Sequence, residues 1–555
     1  MLYDGGGGWI FSGQLLFVPD PSHADYEPAF RFGSANARAF DAAMARIDEG
    51  GTLVTRALCM RMRAEWQPDW WNRNAISTPT TPPTQLMAER DPTLPLPPIA
   101  TARGEQQTSV TGFLAFQNGL ITVAGTGNDT YTSISDRPYP TVRLPEGMVP
   151  TALASTPGNE FVLATVWDVP NRRGGVAVIV AGPGDEPATV PDGFGTHSWP
   201  TVLELKYLGF VELPFAAPMA ISVTHSAAMD NLRGTRVVED GALLSTQAQR
   251  DLYREIPWND ASDLRYRNVA QAGFALISSR AENRVAVVDL RRLFQFYRSM
   301  YLTTPANWEA TREGNQGPGP RQWPYTFEGE PSQVPEVLGV FEVPQPTAVY
   351  ASQRATGTNV RAPDGNESAG YGYGLVASLD GTVRMFDLTS VGDPTQIASL
   401  PATPRTTVTV GPNPTQITSP LDGDGRTDDL FVVARGGRAI HVFDYRLRPI
   451  DVLRDGRMVD PVYVTLGSNG AGFGGSGPDF ATNARVLTVL DHRGQQVVDY
   501  TMRVGGRFDA SFDGEQQDAE EWPHVDASGS PVRFLHGYSN PLPGRPFMFT
   551  VDEVI

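Results

Sequence analysis

GFALISSRAENRVAVVDL, residues 273 to 290, reads as a β-branched strand, a short polar turn and a second strand that ends in Asp289 and a leucine. Each apolar run is too short for a buried helix. Their Val and Ile content, on either side of Ala-Glu-Asn, is that of an antiparallel hairpin. The same template returns in GLVASLDGTVRMFDL (374 to 388), LFVVARGGRAIHVFDY (430 to 445) and RVLTVLDHRGQQVVDY (485 to 500), with Asp387, Asp444 and Asp499 in the place of Asp289. The last three aspartates are almost evenly spaced. The interval from Asp289 to Asp387 is nearly twice as wide and leaves room for an insertion.

A second mark recurs ahead of these hairpins. Proline opens a short alternating run in PTALAS from Pro150, PMAISV from Pro218, PTAVYA from Pro346, PTQITS from Pro414 and, more loosely, PVYVTL from Pro461. Proline has no amide hydrogen to give to a ladder and belongs at the first residue of a strand, so its regular return marks one strand start per repeat.

With AENRVAVVDL and DGTVRMFDL as the nearest matches, residues 110 to 510 resemble the YVTN and WD-repeat-like propellers of bacteria. The resemblance implies an all-β chain forming a single β-propeller of about seven blades, within a range of six to eight. It implies little about function, because propellers host unrelated activities. The propeller is expected over 110–555, with an insertion at about 290–335 that contains a helix, LRRLFQFYRSMYL. Residues 1–109 are expected to hold a closing strand, a short helix at 36–48 and a proline-rich linker at 75–105. Both QLLFV (14 to 18) and PFMFTV (546 to 551) are hydrophobic and far apart in sequence, and they are expected to pair and close the ring. Insertions in repeat arrays gather on one face, often the binding face.

Composition narrows the function classes. Hydrophobic residues make up 40% and charged residues 19%, which suits a packed core. A net charge of −18 without a basic cluster argues against nucleic acid and against an anionic membrane surface. Only Lys206 among the basic residues is lysine, a bias that carries no chemical assignment at this level. One cysteine, Cys59, excludes an intrachain disulfide and a thiolate zinc site. No run reaches the roughly 20 apolar residues that span a bilayer.

The sharpest local motif is LDGDGRTDDLFVV, residues 421 to 433. Asp422, Asp424 and Asp428 crowd among glycines and lead into a strand, the arrangement in which a hard cation collects carboxylate oxygens around a tight turn. The segment resembles the calcium loop of FG-GAP repeats, with Pro420 where that family has its first aspartate and an added Asp429. The resemblance implies structural calcium on Asp422, Asp424 and Asp428 and on a backbone carbonyl near Arg426. The other reading is a solvated acidic turn.

In EWQPDWWNRN, Trp66, Trp70 and Trp71 stand beside polar groups and are candidates for a partner contact. The same rings also suit packing against the proline-rich segment. Among the histidines none forms a pair at helical metal-ligand spacing. His225 and His441 follow strand positions and are the two that a channel site would draw on. No nucleophile elbow, phosphate-binding loop or dinucleotide fingerprint is present, so no catalytic residue is assigned.

The expected function is therefore noncatalytic binding or scaffolding, with a protein or glycan partner. Its expected location is extracellular, periplasmic or at the cell surface if the chain is a trimmed form, and cytoplasmic otherwise. Two rivals stand beside it. One is a propeller hydrolase or lactonase with a channel metal; the other is a structural subunit of a surface layer or virion.

Overall fold

The computed structural model describes residues 11–17, 98–103, 112–124, 141–156, 160–182, 190–192, 195–197, 204–224, 246–254, 272–311, 317, 319–354, 371–419, 430–468, 484–503, 534–541 and 545–554. These residues form six four-stranded antiparallel sheets, each a meander in chain order, and two two-stranded sheets. The architecture is a β-propeller.

The first blade holds Pro98–Arg103, Gly112–Phe116, Leu120–Ala124 and Thr141–Arg143. The second holds Met148–Ser155, Phe161–Asp168, Arg173–Gly182 and Glu204–Glu212. Ala220–Val223, Phe274–Ser279, Arg284–Asp289 and Glu336–Glu342 make the third. Pro346–Arg354, Tyr371–Ser378, Thr382–Asp387 and Thr406–Thr409 make the fourth. The fifth is Pro414–Thr418, Leu430–Ala434, Ala439–Phe443 and Pro449–Leu453. The sixth is Pro461–Ser468, Ala484–Asp491, Gln496–Arg503 and Phe534–Pro541.

The four hairpins read from the sequence are the second and third strands of the third to sixth blades. The first strands of successive blades pack side by side, so they form the inner ring. Pro346, Pro414 and Pro461 open inner strands, Pro150 is the third residue of one, and Pro218 stands two residues before another. The first blade adds Pro98, which places the first inner strand inside the stretch read as proline-rich linker and ahead of residue 110. In the first, second, fourth, fifth and sixth blades the ladder slips just after the proline, leaving one extra residue, such as Thr151 or Thr415. A residue without an N–H cannot complete a regular pair, and a bulge accommodates it.

The core lies between blades. Along Leu430–Ala434 every residue is buried, but alternate residues go to opposite sides. Leu430, Val432 and Ala434 join the cluster of the fourth blade, whereas Phe431 and Val433 join that of the sixth. A sheet buried on both faces needs this near-continuous apolar run, and period two distributes it. Between the third and fourth blades the rings of Phe341 and Phe386 stack with centroids 4.0 Å apart.

Three of the four hairpin aspartates end their strands chemically. Asp289 accepts the amide of Arg291 at 2.9 Å, Asp387 that of Thr389 at 3.1 Å and Asp444 that of Arg446 at 2.9 Å. A carboxylate that binds the amide two residues on turns the chain out of the ladder. Asp499 departs from the pattern. It lies within Gln496–Arg503, paired with Thr488 and Tyr538, because the third strand of the sixth blade runs on to Arg503.

Phe11–Phe17 pairs antiparallel with Met548–Val554, with Leu16 opposite Phe549 and Gln14 opposite Val551. Met548–Val554 packs between the inner strands of the sixth and first blades. The expected pairing of 14–18 with 546–551 is thus found, and it fills the sector between the last blade and the first. The helix expected at 36–48 lies outside the described residues.

Candidate interaction face

In an antiparallel meander the connections from first to second strand and from third to fourth strand leave one end of the blade; the others leave the opposite end. Here the two ends differ. One carries tight links such as 169–172, 280–283, 379–381, 343–345 and 410–413. The other carries 183–203, 224–273, 290–335, 355–370 and 504–533, and also 419–429, which holds the acidic motif. The long connections within the blades are therefore on one face of the ring, whereas the stretch 18–97, which joins the closing strand Phe11–Phe17 to the first blade, leaves from the other end.

The best-described part of this face is the insertion of the third blade. Helix α1, Gln247–Arg254, comes from the connection after that blade's first strand. Helices α2, Arg291–Leu302, and α3, Pro305–Ala310, follow its third strand. In α2 Leu293, Phe294, Tyr297, Met300 and Tyr301 recur at helical spacing and are buried. Thr304 caps α3 by accepting the amide of Asn307 at 3.1 Å, with Pro305 at the first helical position. Gln247 Nε2 donates to the Thr303 carbonyl at 2.8 Å, and the Arg250 guanidinium lies over Trp308 at 5.5 Å. The three helices thus form one unit.

Aromatic contacts fix this unit to the blades. Tyr297 packs edge-on against Phe161 of the second blade, with centroids 5.4 Å apart. Trp323 meets Tyr301 at 5.5 Å and Tyr325 at 5.8 Å. Burial pushes the Tyr301 hydroxyl up to about 12, against the opposing hydrogen bonds of Tyr297 and Trp323, so it stays protonated.

A polar tie adds to these contacts. Lys206, on the fourth strand of the second blade, donates from Nζ to the carbonyls of Gly317, Gly319 and Gln322 at 2.6, 3.0 and 2.9 Å. A compact ammonium satisfies three converging carbonyls that a planar guanidinium would not reach together. Nearby, the Phe327 amide donates to the Leu208 carbonyl at 2.7 Å. A Cβ at Gly209 would stand 2.3 Å from the Phe327 ring, so only glycine admits this approach.

Arg298 of α2 has a different environment. Its Nη1 is buried without a hydrogen-bond partner. Burial pushes its pKa down to about 10, which still leaves the group charged near neutral pH.

The sequence candidates are distributed as follows. Asp422, Asp424, Arg426 and Asp428 lie outside the described residues, as do Trp66, Trp70, Trp71 and His225. The acidic motif is followed directly by the strand Leu430–Ala434. His441 is on the third strand of the fifth blade, opposite Val432 and Val452, and therefore not on the inner ring. Burial, with the charge of Arg454, lowers its pKa, so it is neutral at pH 7. Among the described residues no group of three or more His, Cys, Asp or Glu side chains is placed to hold a metal ion. No described helix is long and apolar enough to cross a membrane. Sequence reasoning missed Lys206 as an anchor, although its being the only lysine was the visible signal.

No protein-family model and no curated protein matches the sequence. Solved structures similar to this chain include the Pan2 WD40 domain of Neurospora crassa, at 10% identity over 74% of this chain and 79% of that one, with a TM-score of 0.32. The WD40 domain of SCAP from fission yeast has 7% identity over 82% and 74%, with a TM-score of 0.34. A functionally unknown protein of Desulfotomaculum acetoxidans has 12% identity over 74% and 84%, with a TM-score of 0.36. The propeller assignment rests on the chain's own six blades.

Proposed function

We propose that this protein is a noncatalytic scaffold that engages a protein or glycan partner through the face bearing the long connections. The observation that carries this reading is the asymmetry of the blades: their connections at one end are short, and those at the other include an insertion fixed by Lys206 and an aromatic cluster. Loops on a rigid scaffold are where recognition is placed. An exported or cell-surface location belongs to the same proposal, supported by the calcium-like motif, and cell fractionation tests it.

Photo-crosslinking in the source cells tests the face. A crosslinker at exposed Gln295 in α2 is expected to capture a partner, and one at exposed Gly456 on the opposite end is not. Capture only from the tight-turn end would overturn the assignment. Metal-dependent turnover of an ester or lactone panel by the purified chain would favour the hydrolase reading instead.

A second reading has its own observation. Trp167, Val169 and Met219 are 39%, 57% and 50% exposed at the tight-turn end, and the Trp167 indole donates to the Pro218 carbonyl. Such a patch suits a smaller contact, which Trp167→Ala would weaken.

A further inference from the structure

Among the described residues, the arginines packed into this protein are met by acceptors, with one exception. Arg435 is held by Asp460 at 2.6 and 2.8 Å, and Arg173 by Asp168 at 2.6 Å. Arg291 at the start of α2 meets Asp289 at 2.6 Å and donates to the carbonyls of Asp393 and Gln396. Arg250 is oriented by Gln247 Oε1 at 2.9 Å and lies over Trp308. Arg298 has no such acceptor, and its Nη1 is sealed from solvent.

The helix geometry says where this charge sits. Arg298 is seven residues after Arg291, two turns and about 10.5 Å along the same stripe of α2. Phe294 and Tyr301, one turn to either side, are both buried. The guanidinium therefore lies in apolar surroundings, where an unmatched charge is costly and a matching one is bound strongly. The residue as a whole is only partly buried.

We propose that Arg298 anchors an anion-binding site on the insertion, and that the group it takes is a carboxylate. A guanidinium presents a planar fork of donors that a carboxylate meets with two parallel hydrogen bonds. The charge also decides between oxyanions. Arg291 is already neutralised by Asp289, so the site offers one free positive charge; a carboxylate cancels it, whereas a phosphate dianion would leave net negative charge among Phe294 and Tyr301. The site does not depend on which face binds a macromolecular partner.

The test is melting of the whole protein at pH 7 and fixed ionic strength, with sodium chloride exchanged stepwise for sodium acetate or sodium phosphate. The parent is expected to melt higher as acetate replaces chloride, by the mass-action term for a ligand of the folded state, with a smaller rise in phosphate. Arg298→Met is expected to lose the acetate response and, in chloride, to melt no lower than the parent. Arg298→Lys keeps the charge but not the fork and is expected to respond weakly; it also keeps the test open should the methionine variant not fold. A parent indifferent to acetate, or a stronger response to phosphate, would overturn the proposal. So would an Arg298→Met variant that melts well below the parent in chloride, since that loss would mean a carboxylate of the chain itself already pairs with Arg298.

Discussion

Gln416 and Val464 are joined across the boundary between the fifth and sixth blades by two hydrogen bonds. Gln416 Nε2 donates to the Val464 carbonyl at 3.0 Å, and the Val464 amide donates to Gln416 Oε1 at 2.6 Å. The side-chain amide acts as one residue of a strand against the open side of the next inner strand. Thr151 and Thr415, the extra residues of two bulges, do related work: their hydroxyls donate to the carbonyls of Pro218 and Val462 in the following blades, at 2.8 and 2.7 Å. Inner strands that share no ladder are thereby linked by side chains.

Gln416→Ala removes both bonds and leaves two backbone groups of Val464 unpaired. The expected loss is about 2 to 4 kcal/mol in the unfolding free energy, read from the denaturant midpoint. Gln416→Glu keeps an acceptor for the Val464 amide but sets a carboxylate oxygen against the Val464 carbonyl, and is expected to recover little of the loss at neutral pH.

Lys206→Met removes the ammonium from the carbonyls of Gly317 and Gln322 and leaves that of Gly319 with the Gln322 amide at 3.1 Å. The expected cost is about 3 kcal/mol, and Lys206→Arg is expected to recover little of it because the guanidinium does not fit among them. An amine-acylating reagent gives a second readout. Lys206 is the only lysine, so its modification shows as a mass shift on one internal peptide, separate from that of the α-amine, and is expected to be slow in the native protein and fast in denaturant.

Acid should expose the Arg435–Asp460 pair. The hydrogen bonds from Arg435 hold the Asp460 carboxyl below its ordinary value, against the opposing effect of burial. A carboxylate whose folded pKa is depressed contributes stability that is fully present above the unfolded value of about 3.9. That contribution is lost as the pH falls through the lower folded value. Urea midpoints between pH 5 and pH 2 are expected to fall less steeply for Asp460→Asn than for the parent. Parallel curves would show that the pair does not contribute to the acid limb.

The acidic motif has its own test. If Asp422, Asp424 and Asp428 hold calcium, the parent melts higher in millimolar calcium than in chelator, and Asp424→Ala abolishes the difference. Equal melting of the parent in both would leave an acidic turn.

The sequence made the hairpins, the proline starts and the closing pair readable because each depends on a local rule. Period-two burial in Leu430–Ala434, the missing amide of Pro346 or Pro414 and the turn chemistry of Asp387 are visible residue by residue. Asp499 failed the rule because strand length is set by pairing with Phe534–Pro541, which local sequence does not specify. The anchors of the insertion were not readable. Lys206 meets carbonyls more than a hundred residues away, and the isolation of Arg298 depends on what packs around α2; neither spacing nor composition encodes a long-range neighbour. His441 shows the same limit, since a strand position alone does not say whether the strand is inner or outer.

The pairing of Leu16 with Phe549 also has a consequence for synthesis. At roughly 5 to 20 residues per second, Phe11–Phe17 leaves the ribosome on the order of half a minute to two minutes before Met548–Val554 exists to receive it. During that time the blades already made hold an open arc with a bare strand at each end. A translating cell must shield those ends from one another and from neighbouring chains, and slower translation of the last blade would lengthen the exposure.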